Sequence, residues 1–319
     1  MAQEAHSQII PKVEIEQKPV KRRPRRRLPD FIKVTANFTP NYFRVKDILA
    51  RNNLHSVCQE ASCPNIRECF GEGTATFMIL GANCTRGCRF CDVKTAVPLG
   101  LDREEPKRLA KTVGELNLRQ VVITSVTRDD LRDGGAEIFA ETIRQLRLRD
   151  PEVKVEVLIP DMRGDERSVA TILEACPDVF AHNVETVARL YRRVRPGARL
   201  RRSLDILRLA HEFRPRPVVK TGIMVGLGET REEITELFKQ IRDTGTQIVT
   251  VGQYLSPSED HLAEEKFYYP DEYKEIARVG YEIGFEHVEA GPLVRSSYKA
   301  FSQSKDIIAK QERNDAACG

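Results

Sequence analysis

Short apolar runs alternate with amphipathic segments along this chain from Phe77 onward. Between the runs, apolar residues recur at helical spacing, as at Ile234, Leu237 and Ile241. Strands that alternate with helices form parallel sheets through right-handed crossovers. The repeats predict an α/β fold, a partial (β/α)6 TIM-type barrel, and leave a doubly wound sheet as the alternative. The predicted strands are residues 77–80, 121–124, 155–158, 179–182, 218–221 and 248–251.

The predicted barrel occupies residues 76–290 and leaves a segment on either side. Residues 1–29 are polar, contain scattered prolines and include the basic run 21–27, so we predict a disordered basic tail there. Targeting, nucleic-acid contact or docking of an acidic partner are alternative roles for that tail. Residues 30–75 form an N-terminal extension that carries cysteines, and residues 291–319 form a C-terminal segment.

The composition supports a folded domain and excludes several classes of protein. The chain has 319 residues, of which 40% are hydrophobic and 31% charged, with eight cysteines. These values exclude collagen-like and disulfide-scaffold proteins. No apolar stretch approaches the roughly 18 residues of a membrane span, and no signal-peptide pattern begins the sequence, so we predict a cytoplasmic protein without membrane contact. The formal charge of +4 gives no indication of a nucleic-acid partner.

Cysteine spacing is the strongest chemical signal in the sequence. Directly after the first predicted strand, Cys84, Cys88 and Cys91 follow a C-x3-C-x2-C pattern, which we call the loop triplet. Three thiolates can hold three irons of a 4Fe-4S cube and leave the fourth iron open. A zinc site would normally close with a fourth Cys or His, which the local spacing does not offer. The alternatives are zinc and unpaired structural thiols.

The loop triplet, in this position, resembles the radical S-adenosylmethionine (SAM) superfamily. The resemblance implies that the open iron binds the amino and carboxylate groups of SAM. The cluster would then deliver one electron that splits SAM into methionine and a 5'-deoxyadenosyl radical. It also implies SAM contacts from Phe90, between two of the cysteines, and from Thr124, Ser125, Asn183 and Glu185 at the ends of two later strands. Without the family, strand-end capping explains the last four side chains equally well.

A second group of cysteines lies upstream, at Cys58, Cys63 and Cys69 with C-x4-C-x5-C spacing, which we call the extension triplet. These thiols could be spare or could close one site with the loop triplet, but two triplets favour two clusters. Two triplets in this order resemble the lipoyl synthase family, and the likeness covers residues 28–298. The stretches that carry it are residues 57–66, 73–81, 124–131, 133–136, 182–186, 225–230 and 291–298.

The resemblance to lipoyl synthases implies a sulfurtransferase that adds two sulfurs, at C6 and C8, to an octanoyl chain on a carrier-protein lysine. Radicals from two SAM molecules would remove the hydrogens, and the auxiliary 4Fe-4S cluster on the extension triplet would donate the sulfur. The family's fourth auxiliary ligand is a serine of an Arg-Ser-Ser-Tyr motif, matched here by residues 295–298. We expect Ser296 to be that ligand, with Ser297 as the alternative.

The resemblance also implies partners. They are an octanoylated carrier, either a glycine-cleavage H protein or a dehydrogenase E2 lipoyl domain, an electron donor such as ferredoxin or flavodoxin, and an iron–sulfur carrier protein. Two alternatives stay open: a radical SAM sulfur-insertion or methylthiolation enzyme for another substrate, and a metal sensor that binds nucleic acid.

Several other residues have competing explanations. Lys220 and Arg195 are candidate carboxylate or substrate contacts, or members of ion pairs. We predict that His182 is a packing residue and that Cys176 is a small buried residue without a metal. The Gly-Leu-Gly sequence at 226–228 is consistent with ligand-binding amides or with a tight turn.

Overall fold

One sheet forms the centre of the computed structural model, which describes residues 27–318, without the side chains beyond residue 313. Its strands are ordered β1 to β8 as they occur in the sequence. The first pair is antiparallel, and every later pair is parallel. The strands are β1 His55–Ser56, β2 Thr76–Ile79, β3 Gln120–Ser125, β4 Lys154–Leu158, β5 Val179–Ala181, β6 Val218–Val225, β7 Ile248–Gln253 and β8 His287–Gly291.

Helices fill the connections between the parallel strands. The α-helices of the described residues are α1 Pro40–Arg51, α2 Val57–Glu60, α3 Ile66–Gly71, α4 Glu105–Leu116, α5 Ala136–Arg149, α6 Glu166–Glu174, α7 Tyr191–Val194, α8 Leu200–Glu212, α9 Arg231–Arg242, α10 Pro270–Ile283 and α11 Ala300–Cys318. Short 3-10 helices occupy Met162–Gly164 and Ala188–Leu190.

All the predicted strands are present, and the α/β partial barrel is confirmed. The strand order never reverses, which excludes the doubly wound alternative. The parallel part of the sheet has one strand more than predicted, because β8 buries only Val288 and so lacks an apolar run. β1 was also missed, because its pairing with β2 involves only His55 and Ser56.

The amphipathic pattern of α9 shows why the predicted helices form. Ile234, Leu237 and Ile241 are buried on one side of it. Its start is fixed by a capping box, in which Thr230 accepts from the amide of Glu233 and the Glu233 side chain accepts from the amide of Thr230. Caps of this kind contribute about 1 kcal/mol.

Helix α11 closes the amino end of the barrel. Ile307 and Ile308 pack against Val179, Val218 and Ile248, the first residues of β5, β6 and β7. This contact leaves the carboxyl ends of the strands as the open end of the barrel.

A buried ion pair lies in the barrel interior just above this closure. Lys220 Nζ donates to Glu156 Oε1 over 2.8 Å, and both side chains are fully buried. Gln120 adds a hydrogen bond to the same carboxylate. Lys220 therefore belongs to an ion pair and does not reach the open end.

Cys176 corrects a prediction, because its side chain is exposed and not buried. Helix α6 ends at Glu174, and Cys176 leaves it with a left-handed backbone at φ 57°. That turn takes the side chain off the buried face of the helix.

Candidate active site

A cavity of about 510 Å³ opens at the carboxyl ends of the strands, the end at which barrel proteins bind ligands. Its wall is built from residues of β2, β3, β4, β6 and β7, from the segment after β5 and from the loops that carry the cysteines. Cys69 lies behind the wall, next to the other thiols of the extension triplet. The predicted site residues that line the cavity are Cys58, Cys63, Cys84, Cys88, Cys91, Phe90, Thr124, Ser125, Asn183, Glu185 and Ser296.

The loop triplet lies on a loop that folds back on itself after β2. The Cys84 amide donates to the Lys94 carbonyl over 2.8 Å, which brings the two ends of the loop together. The amides of Arg86 and Thr127 donate to the Cys84 sulfur over 3.4 Å and 3.3 Å. These two amides hold the Cys84 sulfur in place on the loop.

Arg86 fixes this loop to the rest of the barrel. Its guanidinium donates two hydrogen bonds to Asp129, at 2.6 Å and 2.8 Å, and lies 2.7 Å from Asp161. Asp161 is fully buried and also binds Arg202. Burial acts to raise the pKa of Asp161, but the ion pairs hold the pKa below its usual value. The carboxylate therefore stays charged and holds the loop at neutral pH.

Two short helices carry the extension triplet. Cys58 lies in α2, where Ser56 caps the helix by accepting from the Gln59 amide. Cys63 follows the turn after α2, and its amide donates to the Cys58 carbonyl. Cys69 lies in α3. These local contacts bring three thiols together from a stretch of only twelve residues, 58–69.

The C-terminal segment packs against the extension triplet. Asn65 Nδ2 donates to the Leu293 carbonyl over 2.6 Å. The Tyr298 hydroxyl donates to Glu68 over 2.7 Å. The Arg-Ser-Ser-Tyr motif therefore lies beside α3, although more than two hundred residues separate the two in sequence.

Burial raises the pKa of four of the triplet thiols, and neighbouring thiols add to the effect. The pKa of Cys58 rises to about 11, and those of Cys69 and Cys91 rise to about 12. Cys88 shifts in the same direction, with Cys84 contributing. Thiols raise one another's pKa only at short range, so each triplet is gathered in space.

The arrangement of donors fits a cluster better than a single ion. Within residues 27–318, no three His, Cys, Asp or Glu side chains converge on one point as a mononuclear metal requires. A 4Fe-4S cube makes a different demand, because each thiolate binds a separate iron. Two gathered but non-convergent triplets are therefore suited to polynuclear clusters.

The two serines of the C-terminal motif have different neighbours. Ser296 Oγ accepts from Asn183 Nδ2 over 2.7 Å and donates to Asn183 Oδ1 over 3.0 Å. Ser297 Oγ accepts from Thr76 Oγ1 over 2.8 Å. Thr76 also hydrogen-bonds to Cys58, which acts to lower the pKa of that thiol. Ser297 is therefore linked to the extension triplet, whereas Ser296 is linked to the end of β5.

Polar side chains at the ends of β3 and β5 face the cavity. Ser125 Oγ is buried and has no hydrogen-bond partner among the described residues, so it is available to a ligand. Thr124 donates to the Leu158 carbonyl, as a strand-end cap does. Glu185 has a left-handed backbone at φ 71°, and burial raises the pKa of its carboxyl despite the nearby cation of Arg195. These groups offer hydrogen bonds and one carboxylate at the cavity wall.

Two arginines, of which Arg195 is buried and Arg295 half-buried, bring positive charge to the cavity. Arg195 Nη1 donates to the Asn183 carbonyl over 2.9 Å, while its Nε has no partner among the described residues. Arg295 reaches the cavity from the C-terminal motif, and Cys63 lies in its electrostatic environment. A cationic side chain near a thiolate or near the carboxylate of SAM would stabilise that negative charge.

His182 and the 226–228 loop have structural roles. His182 is buried, and burial lowers its pKa to about 4, so the ring is neutral. The ring bonds to the Ile159 carbonyl and the Ser203 hydroxyl, which confirms the packing role. The amides of Gly226 and Leu227 donate to the Glu229 carboxylate, so the loop is a tight turn whose amides are occupied.

Comparisons with known proteins agree with this geometry. Residues 78–241 match the profile of the radical SAM superfamily, and residues 3–63 match that of the N-terminal domain of lipoyl synthase. The lipoyl synthase of Aliivibrio fischeri is 53% identical over 262 residues, which cover 82% of each chain. That of Geobacillus kaustophilus is 50% identical over 287 residues, which cover 90% of this chain and 96% of the relative.

The chain belongs to the lipoyl synthase family. Its cofactors are accordingly SAM and 4Fe-4S clusters. Among solved structures, a methylornithine synthase superposes with a TM-score of 0.54 at 16% identity, over 70% of this chain and 72% of the other. That likeness supports the barrel fold alone. The part of the chain that the structure describes contains no helix long and apolar enough to cross a bilayer.

Several residues that support this lipoyl synthase site were not predicted from sequence. Asp92, directly after the loop triplet, accepts from the Ser62 hydroxyl over 2.5 Å, and His261 Nε2 contacts the Cys91 carbonyl at 3.1 Å. Gly252 is required by packing, because a Cβ there would lie 2.1 Å from the Val294 carbonyl oxygen. A glycine inside an apolar strand is the sequence feature from which this close approach of the Val294 backbone could have been predicted.

The raised thiol pKa values predict slow alkylation of the cluster-free protein. At pH 8, a thiol of pKa about 11 is about one part in a thousand thiolate, the reactive form. We expect iodoacetamide to modify the exposed Cys176 at least ~100-fold faster than Cys58 or Cys91. The Cys58 rate should rise about tenfold per pH unit up to pH about 11. Mass spectrometry of timed digests measures the rates, and equal labelling of the three sites at pH 8 would contradict the burial.

Proposed function

We propose that this chain inserts two sulfur atoms, at C6 and C8, into an octanoyl chain attached to a lysine of a carrier protein. The observation that carries the proposal is that thiols of both triplets line one cavity. Unactivated C–H bonds resist acid–base chemistry, so a radical source is required. Sulfur must also be available where the carbon radical forms. A single cavity bordered by both triplets meets these two requirements.

The cluster ligands are assigned from the way in which the thiols of each triplet are gathered in space. Cys84, Cys88 and Cys91 would hold the cluster that binds SAM, and Cys58, Cys63 and Cys69 would hold the auxiliary cluster. When bound, the first cluster would supply an electron for the cleavage of SAM, and the second would supply sulfide. Amides that point at Cys84 and the anchored Arg86 hold the loop triplet in place.

The fourth auxiliary ligand is assigned to Ser297 in preference to Ser296, which the sequence favoured. Ser297 contacts Thr76, and Thr76 contacts Cys58, a thiol of the extension triplet. Ser296 is occupied by two hydrogen bonds with Asn183. The neighbours of the two hydroxyls therefore support Ser297 as the auxiliary ligand and Ser296 as a residue that orients Asn183.

The two serines can be separated by matched substitutions. We expect Ser297→Ala to lower the iron bound at the extension triplet and to reduce sulfur insertion at least ~10-fold. Ser296→Ala should keep full auxiliary iron and weaken SAM binding through Asn183. Mössbauer spectra and iron content of each reconstituted variant measure the first effect, and SAM titrations measure the second. Loss of auxiliary iron in Ser296→Ala alone would reverse the assignment.

The chain's polar groups at the cavity wall would bind SAM. Glu185 carries a carboxylate suited to an ammonium group, and Ser125 offers a buried hydroxyl without a described partner. Asn183 offers an amide that Ser296 orients. Phe90, between two of the thiols, places its backbone and ring at the same wall. Thr124 contributes at the end of β3, where its hydroxyl holds the neighbouring strand.

Apolar side chains form the part of the cavity suited to the octanoyl chain. Val57 and Met78 line it near Cys58, Val34 reaches it from the N-terminal extension, and Leu28 reaches it from the end of the tail. An apolar wall binds an alkyl chain through burial of its methylenes, each worth about 0.8 kcal/mol. The same wall excludes water from the carbon radical.

The partners and the compartment belong to the proposal as well. The substrate would be presented by a glycine-cleavage H protein or a dehydrogenase E2 lipoyl domain. A ferredoxin or flavodoxin would supply electrons, and an iron–sulfur carrier protein would rebuild the auxiliary cluster. Six free thiols in the two triplets require a reducing compartment, which supports the cytoplasm.

An anaerobic single-turnover assay tests the proposed function. The protein, with both clusters reconstituted, is mixed with SAM, a strong reductant and an octanoyl-lysyl peptide. We expect a peptide that has gained two sulfurs as the dithiol, and that has two hydrogens fewer after oxidation to the cyclic disulfide during work-up, together with two 5'-deoxyadenosines. Formation of deoxyadenosine without any modification of the peptide would mean that the radical acts on another substrate. No SAM cleavage by iron-replete protein would overturn the enzyme assignment.

A further inference from the structure

Exposed arginines lie on four successive connections at the mouth of the cavity, in loops and in short helices. We call this set the arginine arc, and it follows the carboxyl ends of β2, β3, β4 and β5. All of its side chains are exposed, and no described carboxylate lies within 4.0 Å of any of them. The arginine arc consists of Arg89, Arg132, Arg163, Arg192 and Arg199.

Five acidic residues on the same connections bind other groups of the protein. Asp129 and Asp161 bind Arg86, and Asp130 binds Arg128. Asp133 accepts from the amides of Gly135 and Glu137 at the start of α5, and Asp92 accepts from Ser62. These carboxylates are used inside the protein, while the guanidinium groups of the arc remain exposed to solvent. The five guanidinium groups of the arc therefore add positive charge to this surface.

Contacts between the loops place the arc directly at the cavity. Arg89 stands between Cys88 and Phe90, which both line the cavity, and its amide donates to the Val194 carbonyl over 3.0 Å. Arg192 and Arg199 lie on either side of the cavity-lining Arg195 in sequence.

The other half of the arc is joined to the first by the Arg86–Asp129 ion pair and by the Thr85 amide, which donates to the Thr127 carbonyl over 3.0 Å. The Arg163 guanidinium donates to the carbonyls of Asp129, Leu131 and Arg132, which ties the loop after β4 to the loop after β3. The four loops therefore present one continuous surface.

The loop after β7 borders the arginine arc. The Leu262 amide donates to the Arg89 carbonyl over 3.2 Å, and Glu265 forms an ion pair with Arg193 at 2.7 Å. Glu265 is therefore paired with an arginine outside the arc.

Two exposed apolar side chains complete the surface. Val97 is 87% exposed and Leu99 is 81% exposed, both on the loop after β2. Their carbonyls are held by Asn83 and by Arg128, so this part of the loop is anchored and not a free end. Protein interfaces combine an apolar centre with a polar rim in this way.

We propose that the arginine arc, with Val97 and Leu99, is the docking surface for the acidic face of the protein domain that carries the acyl-lysine substrate. The inference rests on the proposed function, because a protein-bound lysine can reach the cavity only if its carrier docks at the mouth. A nucleic acid is disfavoured, because single strands need aromatic platforms. The exposed aromatic side chains of residues 27–318 lie on other elements, at Phe38, Phe43, Tyr269, Tyr281 and Phe301.

A comparison of two substrates tests this surface. The triple variant Arg132→Gln, Arg192→Gln and Arg199→Gln removes three charges whose side chains make no contact with the cavity. We expect the KM for an octanoylated carrier domain to rise about tenfold and its dependence on salt to weaken. The kcat and KM for an octanoyl-lysyl tripeptide should stay unchanged, because the peptide is too small to reach the arc.

Two further variants control for total charge and for the apolar part. Arg216→Gln, Lys239→Gln and Lys305→Gln make the same charge change on exposed positions away from the mouth and should leave the carrier KM unchanged. Val97→Ser with Leu99→Ser should raise the carrier KM by an amount that salt does not alter.

The outcomes separate the docking surface from the proposed function. The proposal would be overturned if the triple variant left the KM for the carrier domain unchanged. It would also be overturned if the variant raised the KM for the tripeptide as much as the KM for the carrier domain. Calorimetric binding of the carrier domain measures docking even if no sulfur is inserted, so a failure of the chemistry would be seen separately. Loss of nucleic-acid binding, with carrier binding intact, would reassign the surface to nucleic acid.

Discussion

Cys58→Ala is expected to abolish sulfur insertion while SAM cleavage continues. Cys58 is buried in the extension triplet, and it contacts Thr76 on β2. Its loss removes one ligand of the sulfur source, and metal sites are sensitive even to the loss of supporting groups, which costs 10- to 100-fold. We therefore expect at least a ~100-fold loss of thiolated peptide. The loop triplet is anchored separately through Arg86, so 5'-deoxyadenosine should still form.

The measurement is a single-turnover assay that follows deoxyadenosine and peptide mass in the same sample. Cys176→Ala is the matched control, since it removes an exposed thiol outside both triplets and should behave as the unmodified chain. Equal loss of both products in Cys58→Ala would mean that the two triplets do not have separate roles.

Cys88→Ala is expected to abolish SAM cleavage and, with it, every later step. Cys88 lines the cavity between Arg86 and Arg195, at the centre of the loop triplet. Without its thiolate the radical source loses one of three protein ligands, and no other described thiol outside the triplets lies at the cavity. The deoxyadenosine yield should fall at least ~100-fold.

Auxiliary iron distinguishes this loss from misfolding. The iron held by the extension triplet should remain in Cys88→Ala, at about half of the total iron of the unmodified protein, because each triplet serves one cluster of equal size. Iron analysis and Mössbauer spectra of the reconstituted variant measure it. Near-complete loss of iron would mean that the triplets assemble as one unit, and retained SAM cleavage would contradict the assignment of the loop triplet.

The cysteines of the site could be predicted from sequence because the pattern that identifies them is local. Each triplet lies within one short stretch, so spacing alone brings the thiols together. The six inner strands were predictable for a similar reason, since each buries a continuous apolar run, as β2 does with its four residues. β8 buries only Val288 and could not be found in that way.

The contacts that position the site could not be predicted, because they join distant parts of the chain. Arg86 meets Asp161 and Asn65 meets Leu293 only after the barrel forms. The preference between the two serines also depends on such a contact, through Thr76, 221 residues before Ser297 in sequence. Cys176 was misjudged because a left-handed residue after a helix changes where a side chain points, which periodicity does not reveal.

The most direct test of the central account follows the sulfur atoms from the protein to the product. The chain is reconstituted with heavy-isotope sulfide, freed of excess reagent, and given SAM, reductant and octanoyl-lysyl peptide in a buffer that contains ordinary sulfide. If the sulfide held by Cys58, Cys63 and Cys69 is the donor, both sulfurs of the first product molecules will be heavy. Product that contains ordinary sulfur in the first turnover would contradict the account, because the sulfur would then come from solution and not from the extension triplet.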